Sequence, residues 1–135
     1  KGRFAIPSRY REGLGEQLVV TIDTEEACLL LYPVTAWQVI EDGLQRLPSF
    51  NAAARRIQRL LIGHATDVAL DGNGRLLLPP ILREYATLEK RMVLIGQGNK
   101  FEIWDEAAWH EKRADWLKEE SSGEGLPDEM KTFFL

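Results

Sequence analysis

The chain has 135 residues, 44% of them hydrophobic and 28% charged, and its formal net charge is −4. This length predicts one globular domain with a buried core, and the charge excludes a protein that is basic as a whole. No apolar run approaches the ~20 residues of a membrane span, and the single Cys28 cannot form an internal disulfide, so we expect a cytoplasmic protein.

Charge is distributed unevenly along the chain. Residues 1–60 carry eight basic and seven acidic side chains (+1), whereas residues 61–135 carry nine and fourteen (−5). The first eleven residues contain four positive charges and no acid. This pattern permits one basic face, although it does not by itself require a nucleic-acid partner.

The N-terminal part of the chain, as far as Tyr32, is predicted to be rich in strands. A short strand over Arg3–Ile6 is ended by Pro7, which cannot donate to a strand ladder, and about one helical turn follows. Two apolar runs, 17–22 and 28–32, flank a polar turn and predict a β-hairpin.

Two helices are predicted in the next segment. Apolar residues at helical spacing predict an amphipathic helix over 35–47, with a capping box that begins at Thr35. Asn51 is expected to cap a second helix, which Gly63 ends. Away from its apolar face lies an arginine stripe: Arg55, Arg56 and Arg59. A solvated face or a subunit contact is favoured for this stripe over direct DNA contact.

The second half is predicted to return to strands. The predicted strands are 64–70, 75–78, 91–95 and 101–104. Asp71 to Gly74 has the composition of a tight turn, and Asp105 is expected to cap a helix that extends to about residue 119.

The sequence contains an internal repeat, and the difference in residue number between the two copies is constant. The matching pairs are Gly2 and Gly74, Arg3 and Arg75, Pro7 and Pro79, and Arg11 and Arg83. Because the second unit begins with a strand before its Gly-Arg pair, we expect that a corresponding strand of the natural chain precedes Lys1.

The repeated Gly-Arg pair is the strongest candidate for a binding site. A glycine allows a close backbone approach, and an arginine leaving the turn presents a planar fork suited to phosphate or to a guanine edge. Lys1, Arg9 and Arg11 surround the first copy, whereas the second lacks the counterparts of Lys1 and Arg9. We therefore expect Arg3 to be the exposed copy and Arg75 the more structural one, with a salt bridge as the alternative for each.

Catalytic and metal sites fit the sequence poorly. His64 and His110 have no Cys or His at ligand spacing, so no metal or cofactor is expected. A hydrolase triad could be assembled from Ser8, His64 and Asp71 by residue type alone. The sequence lacks the Gly-x-Ser-x-Gly motif of a nucleophile elbow, so this triad is not expected. We therefore expect that the protein is not an enzyme.

The motifs of the chain resemble those of MraZ, a family of bacterial transcriptional regulators. The motifs that carry this resemblance are Lys1–Arg11, Cys28–Pro33, Arg55–Arg59, Gly63–Ala65, Asp71–Pro79 and Asn99–Asp105. The resemblance implies a mixed α/β (α+β) fold, a double-split swapped-hairpin β-barrel of the AbrB, MazE and MraZ type with flanking helices and an internal pseudo-two-fold repeat.

The same resemblance implies four segments. Residues 1–47 are expected to form the first AbrB-like repeat, without its first strand, and residues 48–63 a connecting helix. Residues 64–118 are expected to form the second AbrB-like repeat, and residues 119–135 an acidic C-terminal tail.

In function, the resemblance implies a sequence-specific repressor of the division and cell-wall gene cluster. Such a protein binds direct repeats in promoter DNA as a ring of about eight to twelve subunits in the cytoplasm, associated with the nucleoid. It uses no cofactor, membrane or small-molecule substrate. The expected DNA-binding residues are Lys1, Gly2, Arg3 and Arg11 from the resemblance, Arg9 from its charge and proximity, and Arg75 from the repeat.

One alternative function stays open. The chain is also compatible with an antitoxin-like protein-interaction module. In that case the acidic tail and its apolar end, Phe133-Phe134-Leu135, would bind a partner protein.

Overall fold

The secondary structure alternates short strands and helices in a computed structural model that describes residues 2–122, Pro127 and Met130. The strands are β1 (Arg3–Ala5), β2 (Gln17–Ile22), β3 (Leu29–Pro33), β4 (Thr66–Ala69), β5 (Arg75–Leu77), β6 (Met92–Gly96) and β7 (Phe101–Asp105). The helices are α1 (Ser8–Leu14), α2 (Val34–Gln45), α3 (Ala52–His64), α4 (Pro80–Tyr85) and α5 (Glu106–Ser122). The predictions for Lys1 and for Phe133-Phe134-Leu135 concern residues outside this described part.

The described strands form two antiparallel sheets. One is a five-stranded sheet in the order β4-β2-β3-β7-β6, and the other is a two-stranded ribbon of β1 and β5. Each sheet combines strands from both halves of the chain, so neither half completes its pairing alone. The predicted mixed α/β fold is confirmed, whereas a closed swapped-hairpin barrel stays a prediction.

The sequence repeat corresponds to a repeat of structure. β1 and β5 begin at residues 3 and 75, β3 and β7 at 29 and 101, and α2 and α5 at 34 and 106. The difference in residue number is the same in all three pairs and equals the difference between Gly2 and Gly74. The constant offset in the sequence therefore identified equivalent elements correctly.

The five-stranded sheet is buried on both faces where β2 and β3 pair. Leu18, Val20 and Ile22 face a core shared with β1, β5 and β7, whereas Val19 belongs to a second cluster with Trp37 of α2 and parts of α3. Two-sided burial explains why both strands read as continuous apolar runs rather than as alternating patterns. Both predicted hairpins, β2–β3 and β6–β7, are confirmed.

The helices confirm some of the expected boundaries and correct others. The side chain of Asn51 accepts a hydrogen bond from the Ala54 amide at 3.1 Å, as expected of a cap for α3. The capping box predicted at Thr35 is wrong, because β3 continues directly into α2 and Pro33, at the N-cap position, sets the entry with φ −58°. α1 has seven residues rather than about one turn, and α4 was not predicted, although it is the repeat counterpart of α1.

The chain divides into two compact units, one ending at Asp105 and the other beginning at Glu106. In the second unit, the rings of Trp109 and Trp116 on α5 meet edge to face, with centroids 6.2 Å apart. Among the described residues, no helix is both long enough and apolar enough to cross a membrane.

Candidate nucleic-acid interface

The ribbon of β1 and β5 places both Gly-Arg arginines on one face. Phe4 lies opposite Leu76, and both side chains are buried in the core. Since side chains alternate along a strand, Arg3 and Arg75 lie on the other face of the ribbon. Arg75 lies opposite Ala5, two residues from Arg3, so the arginines occupy diagonal positions, which are typically about 7–8 Å apart.

The turn before Arg75 is held by a single carboxylate. Asp71 accepts hydrogen bonds from the amides of Asn73 and Arg75 at 2.8 and 2.9 Å, and from Arg75 Nε at 3.3 Å. The Arg75 amide is the main cause that lowers the pKa of the Asp71 carboxyl, followed by the Asn73 amide and the Arg75 charge. Asp71 therefore fixes the turn and partly neutralises Arg75.

The two Gly-Arg arginines differ in their electrostatic surroundings. Arg75 is half-buried and forms the ion pair with Asp71 described above. Arg3 is exposed and has no acidic partner within residues 2–122. The expectation that Arg3 is the exposed copy and Arg75 the more structural one is therefore consistent with the structure.

The two glycines of the repeat are joined to the opposite halves by reciprocal backbone bonds. The Ile6 amide donates to the Gly74 carbonyl at 2.9 Å, and the Leu78 amide donates to the Gly2 carbonyl at 2.9 Å. Both glycines have left-handed backbones, with φ 77° at Gly2 and 72° at Gly74. Glycine is the residue that adopts this conformation at little cost.

Two arginines complete this reciprocal arrangement. Arg11 Nε donates to the Ile6 carbonyl at 2.8 Å, and its guanidinium lies against Gly74. Its counterpart Arg83 donates from Nε to the Leu78 carbonyl at 3.1 Å and lies against Gly2. That Arg11 contacts DNA stays a prediction, since its Nε donor is engaged within the protein. Sequence reasoning assigned no role to Arg83, although the repeat paired it with Arg11.

Arg9 on α1 is exposed and lies beside aromatic rings. Its Cζ atom is 4.7 Å from the centroid of the Tyr10 ring, which in turn meets the Phe101 ring edge to face at 5.0 Å. A cation over an aromatic face gives Arg9 a preferred position while its charge stays accessible. Its contact with DNA stays a prediction.

The arginine stripe of α3 is exposed, as expected. Arg55, Arg56 and Arg59 all face solvent, while Gln58 on the same helix donates to the Leu44 carbonyl of α2 at 2.7 Å. Thr21 of β2 donates to the Leu61 carbonyl at 2.6 Å. α3 therefore packs on β2 and α2 through its opposite side, and the stripe forms a second basic surface.

Two of the three side chains of the candidate hydrolase triad, His64 and Asp71, have structural roles of their own. His64 Nδ1 lies 2.7 Å from the Leu60 carbonyl and donates to it at the end of α3. Asp71 is engaged by its own turn, and Ser8 begins α1 at an exposed position. These contacts explain His64 and Asp71 without a hydrolase triad.

A buried cysteine lies beside two carboxylates near the β2–β3 turn. Ligand atoms of Asp23, Cys28 and Glu102 lie within 4.8 Å of one another. Burial, followed by the charges of Glu102 and Asp23, raises the pKa of the Cys28 thiol far above its usual range. The thiol donates to Asp23 at 3.6 Å and Glu102 accepts from Trp104 Nε1 at 2.8 Å, so protein contacts explain this group.

Comparison with known proteins gives a consistent result. The sequence profile of the MraZ family, described as MraZ protein and antitoxin-like, matches residues 1–60 and 61–129. A protein of Legionella pneumophila (strain Corby) named transcriptional regulator MraZ is 68% identical over 140 residues, covering 100% of this chain and 92% of the relative. Proteins of the same name from Coxiella burnetii (strain Dugway 5J108-111) and Alkalilimnicola ehrlichii are 55% and 53% identical, with the same coverage.

Proposed function

We propose that this chain, which belongs to the MraZ family, is a transcriptional regulator. It binds double-stranded DNA through the outer face of the β1–β5 ribbon, the face that carries Arg3 and Arg75. The observation that carries this proposal is that Arg3 and Arg75 occupy diagonal positions on that face, opposite to the buried side chains of Phe4 and Leu76. A two-stranded ribbon is narrow enough to approach the major groove of DNA.

Arg3 is the main contact in this proposal. It is exposed and has no acidic partner among the described residues, so its guanidinium is available to a phosphate or to a guanine edge. Arg75 contributes less to DNA binding than Arg3, because Asp71 partly neutralises its positive charge. Gly2, which precedes Arg3, and the positive charges of Lys1 and Arg9 complete the proposed set of DNA-binding residues.

The overall acidity of the chain is compatible with this role. The 135 residues carry 21 acidic and 17 basic side chains, but phosphates respond to the local charge of the surface that meets them. Neither Arg3 nor Arg9 is paired with a carboxylate among the described residues, so neither charge is neutralised by an ion pair there.

We further propose how the subunits assemble and which genes they regulate. We include a ring of about eight to twelve subunits that binds promoter direct repeats and represses the division and cell-wall gene cluster in the nucleoid. The closed swapped-hairpin barrel and the four-segment division of the chain belong to the same proposal. A few arginines per subunit give weak binding at cellular salt, whereas several linked sites can raise affinity by about 10² to 10⁴.

The test uses duplexes that tile the DNA upstream of the chain's own gene. Each labelled duplex is titrated with the full chain in the presence of excess scrambled DNA, and binding is followed by fluorescence anisotropy. We expect one region with direct repeats to retain the protein. Equal binding to scrambled DNA, or no binding at all, would contradict the proposal.

An antitoxin-like function is the second candidate, because the description of the matching family includes that term. Removing residues 123–135 leaves α5, which ends at Ser122, intact. If the chain acts through DNA, the truncated form should bind the same duplex with unchanged affinity. Capture of a single partner protein by the full chain, lost on truncation, would favour the antitoxin-like function instead.

A further inference from the structure

Arg11 and Arg83 form a reciprocal pair of contacts between the two halves of the chain. Each arginine starts from the helix of its own half, α1 or α4, and reaches the Gly-Arg turn of the other half. Arg11 lies against Gly74, next to Arg75, and Arg83 lies against Gly2, next to Arg3. The two arginines are counterparts in the repeat and make equivalent contacts.

A side chain at either glycine would collide with the arginine unless the arginine moved. A Cβ atom placed on Gly74 would lie 2.7 Å from Arg11 Nη1, and one placed on Gly2 would lie 2.9 Å from Arg83 Cζ. Both separations are shorter than a normal van der Waals contact. Each guanidinium group therefore occupies the space into which a side chain at the glycine would project.

Hydrogen bonds connect each guanidinium to the same turn through one intermediate residue. Ile6 accepts from Arg11 Nε through its carbonyl and donates through its amide to the Gly74 carbonyl. Leu78 does the same between Arg83 and Gly2. Each glycine therefore accepts a backbone hydrogen bond from the residue whose carbonyl binds the guanidinium, and the same guanidinium lies against that glycine.

We propose that Arg11 and Arg83 are positioning residues, each of which fixes the DNA-facing arginine of the opposite half. Arg83 holds Gly2 and thereby orients Arg3, whereas Arg11 holds Gly74 and thereby orients Arg75. This inference rests on the proposed function for its effect on DNA, although the contact itself does not depend on it.

The geometry makes lysine an unsuitable substitute. A lysine keeps the charge, but it lacks the Nε donor that binds the carbonyl and the planar group that lies against the glycine. A direct contact with phosphate, by contrast, would largely tolerate lysine, because the phosphate responds to charge. The two roles therefore predict opposite results for Arg→Lys variants.

The first measurement compares DNA affinity for Arg83→Lys and Arg11→Lys at several salt concentrations. If the hydrogen bond lost within the protein orders the DNA-facing arginine, its loss is expected to lower DNA affinity by up to about tenfold. We expect this loss for Arg83→Lys and a smaller one for Arg11→Lys, with an unchanged salt dependence, because the number of phosphate contacts changes little. Arg46→Lys, at an exposed position after α2, is the matched control and should bind as the parent does.

The second measurement needs no DNA. In Arg11→Lys and Arg83→Lys, amide hydrogen exchange at Ile6 and Leu78 should become faster, while the amides of β2 and β3 keep their protection as an internal reference. If the parent binds no DNA but amide exchange is faster in the lysine variants, the proposed function is wrong, whereas the structural role of Arg11 and Arg83 is supported.

Two results would overturn the positioning role. One is exchange at both amides that is unchanged from the parent in both lysine variants. The other is full DNA affinity in the lysine variants together with a weaker, less salt-dependent affinity in Arg11→Ala and Arg83→Ala, which would show direct phosphate contact.

Discussion

At the scale of single residues, identical side chains of the repeat have acquired different roles. Arg3 and Arg75 occupy equivalent positions, yet only Arg75 has an ion-pair partner, Asp71, among the described residues. The difference follows from the turn, because Asp71 binds both the backbone and the side chain of Arg75. An exposed ion pair of this kind contributes little to stability by itself, so its main effect is on geometry.

The Asp71 carboxylate gives a prediction about pH. Its pKa is lowered in the folded protein from an ordinary value of 3.8, so its charge stabilises the folded state. This contribution is complete above the unfolded pKa and is lost as the pH falls through the lower folded pKa. Asp71→Asn should therefore melt at a lower temperature than the parent at pH 7, and the difference should shrink at pH values below about 4.

Thermal melting between pH 7 and pH 2 tests this prediction. Asp67→Asn, at an exposed acid on β4, removes the same charge and serves as the control. A difference between Asp71→Asn and the parent that stays constant across the whole range would show that the carboxylate charge does not hold the turn.

At the scale of elements, local signals predicted the strands and most of the helices, although not α4. The continuous apolar runs of β2 and β3 predicted a buried hairpin, and Asn51 predicted the start of α3, because both signals act within a few residues. The capping box at Thr35 was wrong because no loop separates β3 from α2. Because the helix begins directly after the strand, Pro33 occupies the N-cap position and Thr35 already lies within the first turn of α2.

Contacts between distant elements could not be predicted in this way. β1 pairs with β5, and β2 pairs with β4, through partners that lie far apart in the sequence. The repeat paired Arg3 with Arg75 and Arg11 with Arg83, but it did not show that the first pair shares a ribbon face. It also could not show that each member of the second pair packs on the opposite half.

The cap of α3 gives a prediction at this scale. Asn51→Ala removes the acceptor for the Ala54 amide and should lower the free energy of unfolding by about 1 kcal/mol. Urea denaturation followed by circular dichroism measures this change. Ser49→Ala, at an exposed position shortly before the cap, is the control, and equal stability of the two variants would show that the cap is not stabilising.

At the scale of the whole molecule, the proposed function depends on several weak sites acting together. Four basic side chains in the first eleven residues can neutralise only a few phosphates, and such binding weakens steeply with salt. An assembly that presents the ribbon of each subunit to a direct repeat removes this limit through effective concentration.

This dependence on assembly can be measured with two duplexes of equal length. A duplex with several direct repeats should bind about 10² to 10⁴ times more tightly than one with a single repeat, if linked subunits bind together. Analytical ultracentrifugation of the free protein reports the number of subunits. Equal affinities for the two duplexes, or a protein that sediments as a monomer, would contradict the multivalent account.

The most direct test of the central claim is the salt dependence of DNA binding by Arg3→Ala, compared with the parent and with Arg46→Ala. Both variants lose one exposed arginine, but only Arg3 lies on the ribbon face. We predict that Arg3→Ala binds more weakly and reduces the slope of log affinity against log salt by about one, while Arg46→Ala matches the parent. If Arg3→Ala bound with the affinity and slope of the parent, the ribbon would not be the DNA-binding surface.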